Sequence, residues 1–192
     1  MKKLYYKSKE KVFKYGKKWD KLSPIENDAI GFAHKNINAE PQINKCTDTE
    51  YVLATSAMTI NDRFRSNHNN HLDDAIAKDI GEKYCLKNDI VVYRGVSSIP
   101  YEKMNEAAKR IRGVDFLEKG FLNTSIVKGK QIEADIQLRI YIPKGTVAFY
   151  VGNISYEEAI YYEVIVQVGA RLKIVSMDHN YINCKLIETD VL

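Results

Sequence analysis

Past Asn88 the chain changes its period, and that change limits the folds open to it. Upstream, apolar residues recur at helical spacing: Leu53, Ala54, Ala57, Met58 and Ile60 after Glu50, then Leu72, Ile76 and Ile80 on the way to Cys85. Downstream, short runs rich in β-branched and aromatic residues succeed one another at 90–95, 136–142, 147–151, 162–168, 171–175 and 181–187. Turn signals such as Pro143-Lys144-Gly145 and Gly169 separate them, which predicts strands. A helix is predicted between the first two runs, from Tyr101 to Arg112. Helices first and mostly antiparallel strands afterwards make an α+β layout. The chain has 192 residues, 45% of them hydrophobic and 28% charged, enough for one domain with a two-layer core. The expectation is a single domain, with a mainly helical part over 1–87 and a mainly β part over 88–192.

Within the helical part, Ser23-Pro24-Ile25-Glu26 reads as a helix start. Ser23 would cap, Pro24 suits the first helical position, and Glu26 would reach back to complete a capping box. The helix would run through Ala29, Ile30 and Phe32. Pro41 interrupts the stretch after it, so residues 37–48 are predicted as a connecting loop.

Net charge is +4 but unevenly placed. Residues 1–18 hold eight lysines against Glu10 alone, so this segment carries +7 and the remainder about −3. Such a run suits nucleic acid, an anionic membrane or an acidic partner, yet Tyr5, Tyr6, Val12, Phe13 and Tyr15 favour a packed helix face. No stretch approaches the roughly 20 apolar residues of a membrane span, and the charged start lacks an apolar signal-peptide segment. A soluble chain without a visible signal peptide is expected. Cys46, Cys85 and Cys184 lack CxxC spacing, and His68 and His71, near Asp73 and Asp74, lie in an Asn-rich polar loop, so no metal is expected.

Three pieces of the β part carry chemistry. Arg94 closes the apolar run Ile90-Val91-Val92-Tyr93, where a guanidinium needs a carboxylate or a phosphate; its planar fork suits bidentate phosphate binding, and an internal salt bridge to a core acid is the alternative. Thr124-Ser125, after Gly120-Phe121-Leu122-Asn123, offers small hydroxyls that can anchor a neighbouring carboxylate or simply begin a strand. Glu163 lies in the apolar segment Tyr161-Tyr162-Glu163-Val164-Ile165-Val166, where an unpaired charge should be excluded. Strand alternation would put Tyr161, Glu163 and Ile165 on one face. A carboxylate there would meet a cation or a sugar hydroxyl, or be solvated at a sheet edge.

Taken together, these pieces resemble the bacterial mono-ADP-ribosyltransferase toxins of the arginine, serine, glutamate class, which include the enzymatic parts of clostridial binary toxins and the Rho-modifying exoenzymes. Ile90 to Gly95 is similar to that family's first core strand, Gly120 to Ser125 to its Ser-Thr-Ser strand, and Tyr161 to Val164 to its Glu/Gln-x-Glu strand. Ile60-Asn61-Asp62-Arg63-Phe64-Arg65 resembles the helix end that supplies an asparagine and an arginine, and Ile140 to Gly145 a family hairpin. The resemblance implies two mainly antiparallel sheets packed near-perpendicular around an NAD cleft, with the N-terminal helices above it. It implies NAD as substrate, Arg94 and Arg65 on the diphosphate, and Asn61 and Gly95 near the adenosine or phosphate end. Asn123 and Thr124 would complete the cofactor-binding set. Ser125 or Thr124 would hold Glu163, which would accept a hydrogen bond from the ribose 2′-hydroxyl as nicotinamide leaves.

Two positions depart from that pattern. Asn123 replaces the first serine, and Tyr161 stands where the family has glutamate or glutamine. Asparagine still hydrogen-bonds, whereas tyrosine, with a pKa near 10, is a poor general base at neutral pH. Glu157 and Glu158, in the segment corresponding to the target-recognition loop, are the nearby acids. The implied activity is transfer of ADP-ribose to a macromolecular acceptor, expected to be a protein with nucleic acid as the alternative, after secretion or delivery into a target cell. A translocation partner would fit the binary-toxin likeness. The alternatives are an NAD glycohydrolase, which a non-activating Tyr161 would favour, and a non-catalytic domain that only binds a partner, against which the joint presence of Arg94, Thr124, Ser125 and Glu163 argues.

Overall fold

The computed structural model describes residues 18–152, 154 and 159–191. The basic run before Lys18, and Glu157 and Glu158, lie outside the described residues. Among the described residues, three α-helices of eight or more residues precede the sheet: α1 (Ala29–Asn36), α2 (Asp48–Arg65) and α3 (His71–Lys83). The strands are β1 (Ile90–Val96), β2 (Phe116–Glu118), β3 (Leu122–Ser125), β4 (Ile136–Ile142), β5 (Ala148–Tyr150), β6 (Glu163–Val166), β7 (Ala170–Met177) and β8 (Ile182–Glu188). A fourth helix, α4 (Ser98–Ala108), comes after β1. No helix among the described residues is long and apolar enough to cross a membrane.

The helix starts differ from the sequence expectation. Ser23 does not cap a helix: its hydroxyl donates to Asp20 O (3.2 Å) and shares a hydrogen bond with Tyr93 Oη (2.9 Å). Glu26 is engaged by Lys130 Nζ (2.8 Å) and Tyr162 Oη (3.1 Å), so it cannot reach back to close a capping box. A tertiary partner outcompeted the local one in both cases. The true boxes are Thr47 with Glu50 at the start of α2 and Asn70 with Asp73 at the start of α3. Thr47 Oγ1 accepts from Glu50 N (3.3 Å) and Thr47 N donates to Glu50 Oε2 (3.0 Å). Glu50 also accepts the hydroxyl of Tyr84 just after α3, which joins the two helices. Thr47→Ala removes one side of the box, about 1 kcal/mol, and a melting curve should show Tm lower by about 2–4 °C; an unchanged Tm would refute this.

The strands hydrogen-bond in the order β2-β7-β8-β4-β1-β3-β6-β5. β4 and β8 run parallel; every other described pair is antiparallel. The α+β layout is as expected; the two sheets expected to pack near-perpendicular are joined by hydrogen bonding into one eight-stranded sheet. The joint is narrow: β1 pairs with β4 along its whole length but with β3 only at Tyr93↔Ser125. β3 then pairs with β6 from Leu122↔Val166 to Ser125↔Glu163. Tyr93, Ser125 and Glu163 are therefore successive cross-strand neighbours at the narrowest point of the sheet.

Both faces of β1 are covered, as its unbroken apolar run requires. Ile90, Val92 and Val96 enter a core with Leu138, Ile140, Val164 and Met104, while Val91 and Tyr93 pack with Trp19 and Tyr181. A further cluster seats α2 and α3, through Leu53, Ala57, Ile60 and Ile80, on Phe121, Phe149 and Ile165. This packing aims the end of α2 at the strand joint.

Candidate active site

The groups at the joint arrive on four elements. Arg94 and Gly95 come from β1, Asn123, Thr124 and Ser125 from β3, and Glu163 from the first position of β6. Asn61 and Arg65 come from the last turns of α2, one turn apart, so they project to the same side. All of these, with Tyr161, line one cavity of about 260 Å³. Thr55, Ala57, Met58, Tyr93, Gln131 and Ile132 complete its wall.

Arg94 is nine-tenths buried. Nη1 donates to Asn123 O (3.1 Å), Nη2 donates to Glu118 Oε2 (3.0 Å), and the buried Nε has no hydrogen-bond partner among the described residues. Burial pulls its pKa down, against the opposing pull of Glu118, but an arginine starts high enough to stay charged. Gly95 is needed for close approach, since a Cβ there would collide with the carbonyl of Ile132 in the loop that covers it.

Glu118, at the end of β2, is the residue that sequence reading missed. Its side chain is 1% exposed and takes both Nε and Nη2 of Arg65 (2.9 Å each) besides Arg94, with Gly120 N donating as well (3.2 Å). Burial alone would raise its pKa; the two guanidiniums outweigh that and hold it below the usual carboxylate range. Of the two readings of Arg94, the internal salt bridge to a core acid is the one observed: one acid tethers both arginines and leaves Arg94 Nε outside the pairing. In Leu117-Glu118-Lys119-Gly120 nothing distinguishes this glutamate from a turn residue. The unspent signal was the demand of Arg94 for a core acid. Beyond the Arg65–Glu118 pair, a larger cavity of about 1090 Å³ opens toward Ile99, Lys103 and Met104 of α4.

Glu163 is held differently from the expectation. Ser125 Oγ is engaged with Val127, donating to its O (3.0 Å) and accepting from its N (3.1 Å), and Thr124 Oγ1 donates to Val164 O (2.7 Å). It is Asn123 Nδ2 that donates to Glu163 Oε1 (2.7 Å). Asparagine reaches further than serine, so the substitution hands the anchoring role to position 123. Asn61 is 2% exposed, and its amide is bound to Phe121 and Asn123 rather than aimed at open space.

The alternation argument for Tyr161 also fails in detail. Tyr161 ends the 3₁₀ turn Ala159–Tyr161, and Tyr162 has φ 47°, a left-handed conformation unusual for a bulky residue. The chain turns at Tyr162 before entering β6, yet Tyr161 and Glu163 still reach the same cavity.

The cavity thus brings a buried guanidinium and a second arginine together with an anchored carboxylate, donors that can meet an anion and a charge that can meet a cation. Residues 23–190 match the model of the ADP-ribosyltransferase exoenzyme family. Solved structures with the same fold include Plx2a, an ADP-ribosyltransferase toxin from Paenibacillus larvae (20% identity, TM-score 0.55, 93% of this chain and 96% of that one). The C3 exoenzyme of Clostridium limosum gives 18% identity and TM-score 0.58 over 86% and 96%. C3stau2 from S. aureus, solved with NAD, gives 16% and 0.55 over 97% and 99%. Comparison with curated protein sequences gives no match. The chain belongs to the ADP-ribosyltransferase exoenzyme family, and its activity is that of an ADP-ribosyltransferase.

Proposed function

We propose that this cavity is where NAD is cleaved and that the acceptor of ADP-ribose is a protein, with residues 1–192 acting as one unit. Arg94 supplies donors to the diphosphate, its buried unpartnered Nε being the observation that carries the reading. Arg65, beside Arg94 on Glu118, supplies its remaining N–H groups, and Gly95 lines the same cavity. Thr124 and Ser125 act through the backbone they brace rather than by direct contact.

Glu163 faces the ribose next to nicotinamide. The bond from ribose C1′ to the nicotinamide nitrogen breaks, both electrons leave with nicotinamide, and the sugar becomes positive. A fixed carboxylate there is worth more in the transition state than in the ground state, which is what catalysis requires. A nucleophile on the acceptor then bonds to C1′ and loses its proton. Tyr161, 37% exposed at the cavity wall, would stack on the incoming side chain or donate to it. Since tyrosine is a poor base, NAD hydrolysis, with water as acceptor, is the second reading. Secretion or delivery into a target cell, with or without a translocation partner, fits the toxin relatives.

Labelled NAD incubated with the protein and a cell lysate distinguishes these readings. Protease-sensitive label on a macromolecule is the expected result; nuclease-sensitive label would identify nucleic acid as acceptor. Nicotinamide release without label transfer would replace transfer by hydrolysis. The absence of both release and transfer would overturn the catalytic reading.

A further inference from the structure

A carboxamide has two nearly isosteric ends, and only one of them suits Glu163. Asn123 must turn its N–H toward the carboxylate; turned over, its carbonyl oxygen would face a negative charge. Something must fix that choice, and the contacts behind Asn123 do so in one direction. Phe121 N donates to Asn61 Oδ1 (2.7 Å), and a peptide N–H has no other polarity, so Asn61 Oδ1 is fixed as the acceptor end. Asn61 Nδ2 then donates both to Phe121 O (3.0 Å) and to Asn123 Oδ1 (2.8 Å). That leaves Asn123 Nδ2 to face Glu163 Oε1 at 2.7 Å.

We propose that Asn61 is a positioning residue for catalysis: its amide, oriented by the Phe121 peptide, locks Asn123 in the one orientation that donates to Glu163. This rests on the reading of Glu163 as the group that stabilises the ribose cation. The relay runs from a backbone amide through two side chains to the carboxylate, and its polarity is set at the backbone end. Gly120 lets α2 come this close, because a Cβ there would lie 2.5 Å from Asn61 Oδ1 and 2.9 Å from Asn61 Cα. A serine at position 123 would not need the relay, because a hydroxyl rotates freely to donate. The relay belongs with asparagine at 123, and it couples the end of the Arg65-bearing helix to the catalytic carboxylate.

A purely structural Asn61, tying α2 to Phe121, would cost the same whatever residue stands at 123. A cycle of Asn61→Ala and Asn123→Ser in the full chain separates the two, read as kcat and KM for nicotinamide release. With Asn123 in place, Asn61→Ala should lower kcat about 10- to 100-fold, the size of a lost hydrogen bond to a charged group, with KM for NAD little changed. In the Asn123→Ser background, the same change should cost about twofold or less, a strong non-additivity. Equal losses in both backgrounds would overturn the proposal. One measurement needs neither turnover nor the Asn61 variant. In ¹⁵N-edited spectra of the unsubstituted chain, a side-chain amide proton of Asn123, assigned by its absence in Asn123→Ser, should lie downfield and exchange slowly. Rapid exchange with solvent would overturn the relay. Absent nicotinamide release with the protected amide present would instead fault the catalytic reading and leave the relay standing.

Discussion

Glu163→Gln should cut nicotinamide release from NAD about 10²- to 10³-fold, the usual loss when one preorganised charge-stabilising group is removed, while NAD still binds. The substitution keeps the side chain's shape and its hydrogen bond, since the new amide oxygen can accept from Asn123 Nδ2 as the carboxylate does now. What it removes is the negative charge facing the ribose. Ground-state affinity is carried by other groups: the Arg94 guanidinium with its Nε outside any described hydrogen bond, and Arg65 beside it on Glu118. The loss should therefore fall on kcat, with the dissociation constant for NAD within a fewfold of its starting value. Release kinetics and direct NAD titration on the same preparation measure both. Turnover undiminished in the variant would remove Glu163 from the chemistry, and equal losses in binding and turnover would make it a ligand for NAD instead.

Much of this site was legible in the sequence, because its chemistry puts charges where apolar strands should exclude them. Arg94 and Glu163 interrupt runs whose neighbours Val92, Tyr93, Val164 and Ile165 are fully buried. The strands themselves were signalled by β-branched runs and turn glycines, and their predicted spans fall on β1, β4, β5, β6, β7 and β8. β2, only three residues long, has no pattern to show. What stayed hidden depends on contacts distant in sequence. Ser23 and Glu26 have ideal local spacing for a capping box, but Tyr93, Lys130 and Tyr162 claim them first. Glu118 looks like a surface turn acid until Arg65, 53 residues away, closes on it. The single bridge at Tyr93↔Ser125 decides whether the strands form one sheet or two, and such register is not written in either strand alone. Asn61 was legible as a site residue by resemblance; its engagement with Phe121 and Asn123 was not.

Glu118 gives the second large effect, on stability. Removing one member of a buried ion pair leaves its partner charged and uncompensated, typically about 3–5 kcal/mol, and here one carboxylate holds two guanidiniums, of which only Arg65 has another acid, the exposed Asp62 at 3.4 Å. Glu118→Ala should lose stability of that order, measured by urea unfolding at pH 7. The same group makes stability acid-sensitive, in the direction set by its lowered pKa. Its contribution is complete above the unfolded carboxyl pKa, near 4.5, and disappears as pH falls through the lower folded value. Below pH 4.5 the unsubstituted protein should lose stability more steeply than Glu118→Gln, which has no proton to take up there. Asp73 and Asp178, whose pKa values are also held low, remain in both proteins, so the difference in slope isolates Glu118. Identical slopes would mean that Glu118 does not hold the arginines in solution. With Glu118 neutral, Arg94 loses its ion-pair partner and Arg65 keeps only the exposed Asp62 (3.4 Å), so a diphosphate becomes the best counter-charge available to the two. Saturating NAD should accordingly raise the Tm of Glu118→Gln by more degrees than it raises that of the unsubstituted chain. An equal or smaller rise would place the diphosphate away from this pair.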